Sequence, residues 1–247
     1  MSGHSKWATT KRKKAKIDQA RAKIFNRIIR ELTVAAKLGG SDQDANPRLR
    51  TAVIKAKSAN MPNKNIDTAI AKGANELEGV TYFEPTYEGY GPGGISIMVD
   101  CLTDNKTRTV ANIRHIFTKN GGNMGESGSV SWMFKSKGLI TVALESARED
   151  QLMEIVLEAG AEDMVTSDEN FEITTSPESF TSVLEALSHA KIAVVESEVS
   201  KVADTKQKVT GELAQKALRI LEMLDEDDDV QNVATNAEFD QADLDAE

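Results

Sequence analysis

Val230-Gln231-Asn232-Val233-Ala234-Thr235 reads as a β-strand that stands alone, with a helical pattern before it and an acidic tail after it. A lone strand leaves a row of backbone N–H and C=O groups unpaired, so it must join a sheet begun earlier in the chain. The available sheet is built from residues upstream of 135. Residues 82–90 and 95–101 read as two strands, and in the second Ile95, Ile97, Val99 and Cys101 alternate with Ser96, Met98 and Asp100. Asp104 can cap a following helix with Val110, Ile113 and Phe117 facing inward and Gly121-Gly122 closing it, and Ser129–Phe134 reads as a further strand. If 230–235 returns to this sheet, everything between is an insertion.

The insertion has its own pattern. Leu139–Leu144, Glu149–Ala159, a strand near Met164, Phe171–Thr174, Phe180–Ala190 and Ile192–Val199 follow the order βαββαβ of a ferredoxin-like domain. Glu212–Leu224 adds a helix with Leu213, Ala217, Leu221 and Leu224 on one face. Upstream, Ile17, Ile24, Ile28, Leu32 and Ala35 recur at helical spacing until Gly39-Gly40. Asn46-Pro47 then opens a second helix with Leu49, Val53 and Ala56 inward, Met61-Pro62 breaks it, and a short third helix around Ile66 and Ile70 ends near Gly73. The expected fold class is α+β with three domains. A basic arm at 1–16 precedes a helical domain at 17–78, an α+β domain at 79–134 plus 205–240, an inserted ferredoxin-like domain at 135–204, and an acidic tail at 241–247.

Charge divides the chain in two. The first seventy-three residues carry seventeen Lys or Arg against five Asp or Glu, whereas the remaining 174 carry thirteen against thirty-four. A crowded cationic segment repels itself and calls for a polyanion, of which a phosphate backbone is the commonest. Lys16, Lys23, Arg30 and Lys37 stand seven residues apart on the first helix with Arg27 between them, a rail spanning about 30 Å. Lys11, Arg12, Lys13 and Lys14 continue it into the arm, where His4, Lys6 and Trp7 offer an indole for stacking on a base beside cations for phosphate. The plain alternatives are a solvated helix face and a tail that folds back over Trp7. Lys106 and Arg108 at a helix start are candidates for a secondary anion contact. The acidic run Asp225–Asp229 reads as solvated surface, or else as an intramolecular competitor that screens the basic segment.

Other chemistries lack their residues. No apolar run exceeds Ile192–Val195, far short of the roughly 20 residues of a membrane span. The start lacks the apolar stretch of a signal peptide and the glycine of a myristoylation site, although a basic amphipathic start also fits a mitochondrial presequence. Cys101 is the single cysteine and the three histidines are scattered, so no metal or disulfide is expected and a reducing cytoplasm fits. Gly89-Tyr90-Gly91-Pro92-Gly93-Gly94 matches a dinucleotide fingerprint but leads into a strand rather than a helix, which leaves a tight strand connection. Gly121–Gly128 lacks the Lys of a phosphate loop, and His115 has no spaced partner. Asn63, Lys64, Asn65 and Asp67 on the third helix form a poor base-reading set for a helix-turn-helix. No catalytic residue, cofactor or metal is expected, and the chain is expected to act as a monomer away from membranes.

Several blocks in order carry a resemblance: Ser2-Gly3-His4-Ser5-Lys6-Trp7, Lys23-Ile24-Phe25, Ile29-Arg30-Glu31-Leu32, Ala35-Ala36-Lys37, Asn46-Pro47-Arg48-Leu49-Arg50, Tyr87–Gly94 and Asp104–Val110. Together they resemble the YebC/PmpR family almost end to end. The resemblance implies a helical domain and two α+β domains around a cleft, the third inserted into the second. It further implies nucleic-acid binding without catalysis. Bacterial members are described as DNA-binding transcriptional regulators, while mitochondrial relatives activate translation of a cytochrome oxidase subunit and bacterial relatives are tied to the ribosome. The expectation is therefore a transcriptional regulator that grips phosphate through arm and first helix. The alternative is a translation factor bound to ribosomal RNA or tRNA, with a small-molecule sensor or enzyme using the cleft behind both.

Overall fold

The computed structural model describes residues 17–75, 81–167 and 169–245. The arm candidates His4, Lys6, Trp7, Lys11, Arg12, Lys13, Lys14 and Lys16 lie outside them.

Helix α1 (Ile17–Gly39) buries Ile28, Leu32, Ala35 and Ala36, while Ile24, placed in the apolar stripe by its spacing, is 44% exposed. The end of α1 and the start of α2 (Pro47–Ser58) are joined through one side chain. Buried Asn46 accepts a hydrogen bond from Leu49 N–H at 3.0 Å and donates to the Ala35 and Gly40 carbonyls, both at 2.8 Å. An N-cap thus satisfies orphan groups of two helices at once. Helix α3 (Asn63–Asn75) packs on α1 through small residues: Thr33 and Ala36 face Ala69 and Gly73, and the Thr33 hydroxyl donates to the Ala69 carbonyl at 3.3 Å.

The second unit holds a four-stranded antiparallel sheet. Strand β1 (Thr86–Tyr90) pairs with β2 (Ser96–Cys101) through a tight turn in which Gly93 and Gly94 take positive φ, the strand connection anticipated for the glycine-rich run. The first strand is shorter than expected because Pro85 has no N–H for a ladder; before it only Phe83 bridges to Thr103. Helix α4 (Lys106–Lys119) is capped by Asn105, whose side chain accepts from Arg108 N–H at 3.0 Å, and not by Asp104. Buried Thr109, Ile113, Ile116 and Phe117 face inward, with Val110 only half-buried. Strand β3 (Asn123–Met124) adds to the edge of β1.

No strand forms at Ser129–Phe134. Residues 131–133 make a 3-10 turn because the N–H groups of Val130 and Ser131 are given to the carboxylate of Glu88, both at 2.8 Å, rather than to a ladder. Strand β4 begins only at Phe134 and runs to Ala143. With α5 (Glu149–Glu158), β5 (Ala161–Thr166), β6 (Asn170–Thr175), α6 (Phe180–His189) and β7 (Val194–Ala203) it completes βαββαβ, in the sheet order β5-β6-β4-β7 with every neighbour antiparallel. That is the ferredoxin-like arrangement. Its core contains Ile140, Val142, Leu152, Val156, Ile173, Val183 and Leu187.

The chain then returns. After β8 (Gln207–Val209) and α7 (Gly211–Glu226), β9 (Val230–Thr235) pairs antiparallel with β2, giving the order β3-β1-β2-β9. The lone terminal strand therefore closes the second unit's sheet, and the ferredoxin-like unit is inserted within it. Helices α4 and α7 cover one face over Ile95, Ile97, Val99, Ile113, Phe117, Ala217 and Leu221. The other face is smaller, with Met98, Ala234, Val130 and Phe134. Strand β10 (Ala237–Phe239) pairs in parallel with β8, and α8 (Gln241–Asp245) follows.

Candidate nucleic-acid interface

The rail on α1 meets the acidic run. Helix α7 ends in five consecutive acids, Asp225–Asp229, at the negative end of its dipole, where carboxylates are locally unfavourable and the last carbonyls lack partners. Cations of α1 supply the compensation. Arg27 donates to the Asp225 carboxylate at 3.0 Å and also to its main-chain carbonyl. Arg30 donates to the Asp229 carboxylate at 3.0 Å, the Asp228 carbonyl at 3.0 Å and the Leu102 carbonyl at 2.7 Å. Lys23 sits 3.8 Å from the Glu226 carboxylate and 3.5 Å from its carbonyl.

Asp229 is the anchor. Only 3% exposed, it also accepts from Arg108 at 2.7 Å and from the Thr109 hydroxyl at 2.8 Å. Burial alone would push its carboxyl up, but Arg108, Thr109 and Arg30 outweigh burial and hold it below the usual carboxylate range. The contacts weaken along the rail. Arg30 and Asp229 are 29% and 5% exposed and Arg27 and Asp225 18% and 16%, whereas Lys23 and Glu226 are 42% and 71% exposed. A hollow of about 420 Å³ lined by Arg30, Tyr82, Asp104, Arg108, Asn112 and Asp227–Asp229 lies on one side of Arg30, and one of about 300 Å³ that includes Lys23, Arg27 and Lys72 lies on the other.

The predicted residues thus fall into separate places. Lys23, Arg27 and Arg30 share one face of α1, and Arg108 joins them across the cleft at Asp229. Lys37 is exposed on the last turn of α1. Lys106 does not join Arg108: its ammonium lies 4.4 Å from the centre of the Phe83 ring. On the helical unit Lys55, Lys57, Lys64 and Lys72 are exposed. Arg48 joins the two units by donating to Glu31 at 2.6 and 3.0 Å and to Glu84 at 2.9 Å through each terminal nitrogen.

Two side chains escaped the sequence reading. Glu88, 5% exposed, accepts from the N–H groups of Gly128, Val130 and Ser131, each at 2.8 Å, and so pins the loop 125–131. Trp132, next in the chain, is 72% exposed. In sequence Trp132 stands in the mostly apolar stretch Val130–Phe134 and reads as a core residue of a strand, so nothing local marked it as exposed.

A basic helical unit facing a two-layered α+β unit that carries an inserted ferredoxin-like unit defines the class of protein. The family model described as TACO1/YebC protein N-terminal domain matches residues 5–76, and that described as TACO1/YebC second and third domain matches residues 82–237. The chain belongs to the TACO1/YebC family. It is similar to probable transcriptional regulatory proteins of Desulforapulum autotrophicum (51% identical, covering 97% of both chains) and Koribacter versatilis (52% identical, 99% of this chain and 98% of the relative). Another of that description from Treponema denticola is 52% identical over 97% of both chains. Among solved structures, a conserved hypothetical protein from Aquifex aeolicus superposes with a TM-score of 0.83 at 44% identity, covering 92% of this chain and 94% of that one. Among the described residues no helix is long and apolar enough to cross a membrane.

Proposed function

We propose that this chain is a non-enzymatic, cytoplasmic regulator of gene expression that binds nucleic acid by gripping phosphate with the arm at residues 1–16 and the basic face of α1. The observation that carries the reading is the occupant of that face: closely spaced anions, Asp225, Glu226 and Asp229, already sit on Lys23, Arg27 and Arg30. A phosphate backbone offers the same chemistry at similar spacing and would enter from the Lys23 end, where the internal pairs are most exposed. Asp229 stays closed as the pivot.

The test is the affinity for a labelled DNA duplex, by fluorescence anisotropy over a salt series, of the wild type, of Asp225→Asn with Glu226→Gln, and of Lys23, Arg27 and Arg30 all reversed to Glu. Exposed and half-buried pairs are each worth on the order of 0.5–1 kcal/mol, so freeing two of them should tighten binding about five- to thirtyfold. Charge reversal should weaken binding regardless of sequence and flatten its salt dependence. Unchanged affinity in both variants removes the rail from the mechanism.

A second reading is favoured by α3. Its exposed polar residues Asn63, Lys64, Asn65 and Asp67 include no arginine to grip a guanine edge, which suits a structured RNA surface better than an operator. Crosslinking in cells with sequencing of recovered DNA and RNA separates the two: promoter enrichment supports DNA, and ribosomal RNA or tRNA enrichment supports a translation factor.

A further inference from the structure

The α4 end that faces the cleft has its cations engaged, because the Asp229 carboxylate occupies Arg108 and the Phe83 ring lies under Lys106. The opposite end of α4 is different. Residues 105–137 hold six Lys or Arg against Glu126 alone, a basic island within a portion of the chain that is otherwise strongly acidic. Arg114 and Lys119 are exposed toward the C-terminal half of α4, and Lys135 is 62% exposed beside Asp204. In the chain, the loop that ends in Trp132 lies between Lys119 and Lys135, and it packs on the face of the sheet that α4 does not cover.

That loop is built to be stiff. A carboxylate is buried at its centre to hold three of its N–H groups. Glycines keep its start close to the sheet: a Cβ at Gly122, just before β3, would fall 2.7 Å from the Tyr90 carbonyl, and one at Gly125 within the loop would fall 2.5 Å from the Ser129 hydroxyl. The stiff loop presents two aromatic rings whose polar atoms are already satisfied. The Trp132 indole N–H and the Tyr90 hydroxyl both donate to the Ser129 carbonyl, at 3.2 and 3.0 Å, while 72% of Trp132 and 40% of Tyr90 remain exposed. What they offer outward is therefore ring surface in a fixed position, the requirement for stacking on a flat partner irrespective of its hydrogen-bonding edge. Lys135 follows Trp132 by three residues with its side chain largely exposed, so the partner that fits is an unpaired base whose neighbouring phosphate is anionic.

We infer that Trp132 and Tyr90 form a stacking platform for a single-stranded stretch of nucleic acid, with Lys135 available to a neighbouring phosphate in place of Asp204. This rests on the nucleic-acid reading above but uses a different part of the molecule. Because the chain has only two tryptophans, Trp7→Phe leaves Trp132 as the sole indole reporter. The full-length Trp7→Phe protein is titrated with a short labelled single-stranded RNA, and indole emission is read alongside anisotropy. The expected result is quenching of Trp132 emission in step with binding. Trp132→Ala should bind roughly five- to a hundredfold more weakly at an unchanged melting temperature, Trp132→Phe should recover much of the loss, and Lys135→Glu should weaken binding further. Binding that leaves emission constant, with full affinity in Trp132→Ala, overturns the platform while leaving the rail intact. Absence of any binding to RNA or duplex DNA overturns both.

Discussion

Replacing Glu88 with Gln tests whether one buried carboxylate holds the loop beneath Trp132. The wild-type side chain accepts three backbone hydrogen bonds at 2.8 Å, one on Oε1 from Gly128 and two on Oε2 from Val130 and Ser131. A glutamine keeps one acceptor oxygen. Turned toward Val130 and Ser131, it converts two charge-assisted bonds to neutral ones at about 0.5–1 kcal/mol each, and sets its NH2 against the Gly128 N–H, leaving a buried donor unpaired at about 1–3 kcal/mol. The sum is about 3 kcal/mol. For a protein of this size that is a fall of about 6–12 °C in melting temperature, measurable by calorimetry or circular dichroism. The pH dependence carries its own sign. Burial pushes the Glu88 carboxyl up, but the three backbone donors outweigh it and hold the pKa below the ordinary value. A depressed folded pKa gives stability that is complete above the unfolded value of about 4.3 and is lost as pH falls through the folded one. The gap between wild type and Glu88→Gln should therefore stay constant from pH 7 to about pH 5 and narrow below pH 4. Equal melting temperatures at pH 7, or a gap that widens in acid, would refute the reasoning.

Gly73→Ala places a Cβ against the Thr33 carbonyl and 2.9 Å from the Ala36 Cβ, so α3 must lift from α1; despite a helix-propensity gain of up to about 1 kcal/mol, a net loss of about 2 kcal/mol is expected in urea unfolding. Asp229→Asn leaves Arg30 and Arg108 without their shared carboxylate. Because those arginines are 29% and 46% exposed, the cost should be about 2 kcal/mol rather than the 3–5 of a fully buried pair, and it should disappear at pH values below the depressed Asp229 pKa.

What could be read from the chain was whatever depends on neighbours in sequence or on an unavoidable pairing rule. Asn46-Pro47 and Gly39-Gly40 announce a helix end and start through local backbone chemistry, and Val230–Thr235 had to find a sheet because a solitary strand cannot satisfy its own backbone. The misreadings arise where a distant side chain decides. Val130 and Ser131 have strand-like surroundings, yet Glu88, more than forty residues earlier, takes their N–H groups. Asp104 and Asn105 are both competent caps one residue apart, and here the ambiguity is local: Asn105 takes the Arg108 N–H while Asp104 pairs with the Arg108 side chain. The cations of α1 were legible as a charge pattern, but Arg27 and Asp225 are separated by 198 positions, and no local rule connects them.

The route by which the ferredoxin-like unit leaves and rejoins its host has a practical consequence. Phe134 and Ala203 are directly paired across β4 and β7, and the Asp204 N–H donates to the Met133 carbonyl at 2.9 Å just outside them. The insertion thus hangs on a two-stranded stem whose feet are already side by side. Cutting the chain at the stem and closing it with a short hairpin turn would ask no strand of the host sheet to move, since β9 pairs with β2 and not with the insertion's own strands. The cut must spare the stem's base, because Phe134 and Ala203 help fill the host's second-face core and Ser200 accepts a hydrogen bond from Asn232 at 3.3 Å.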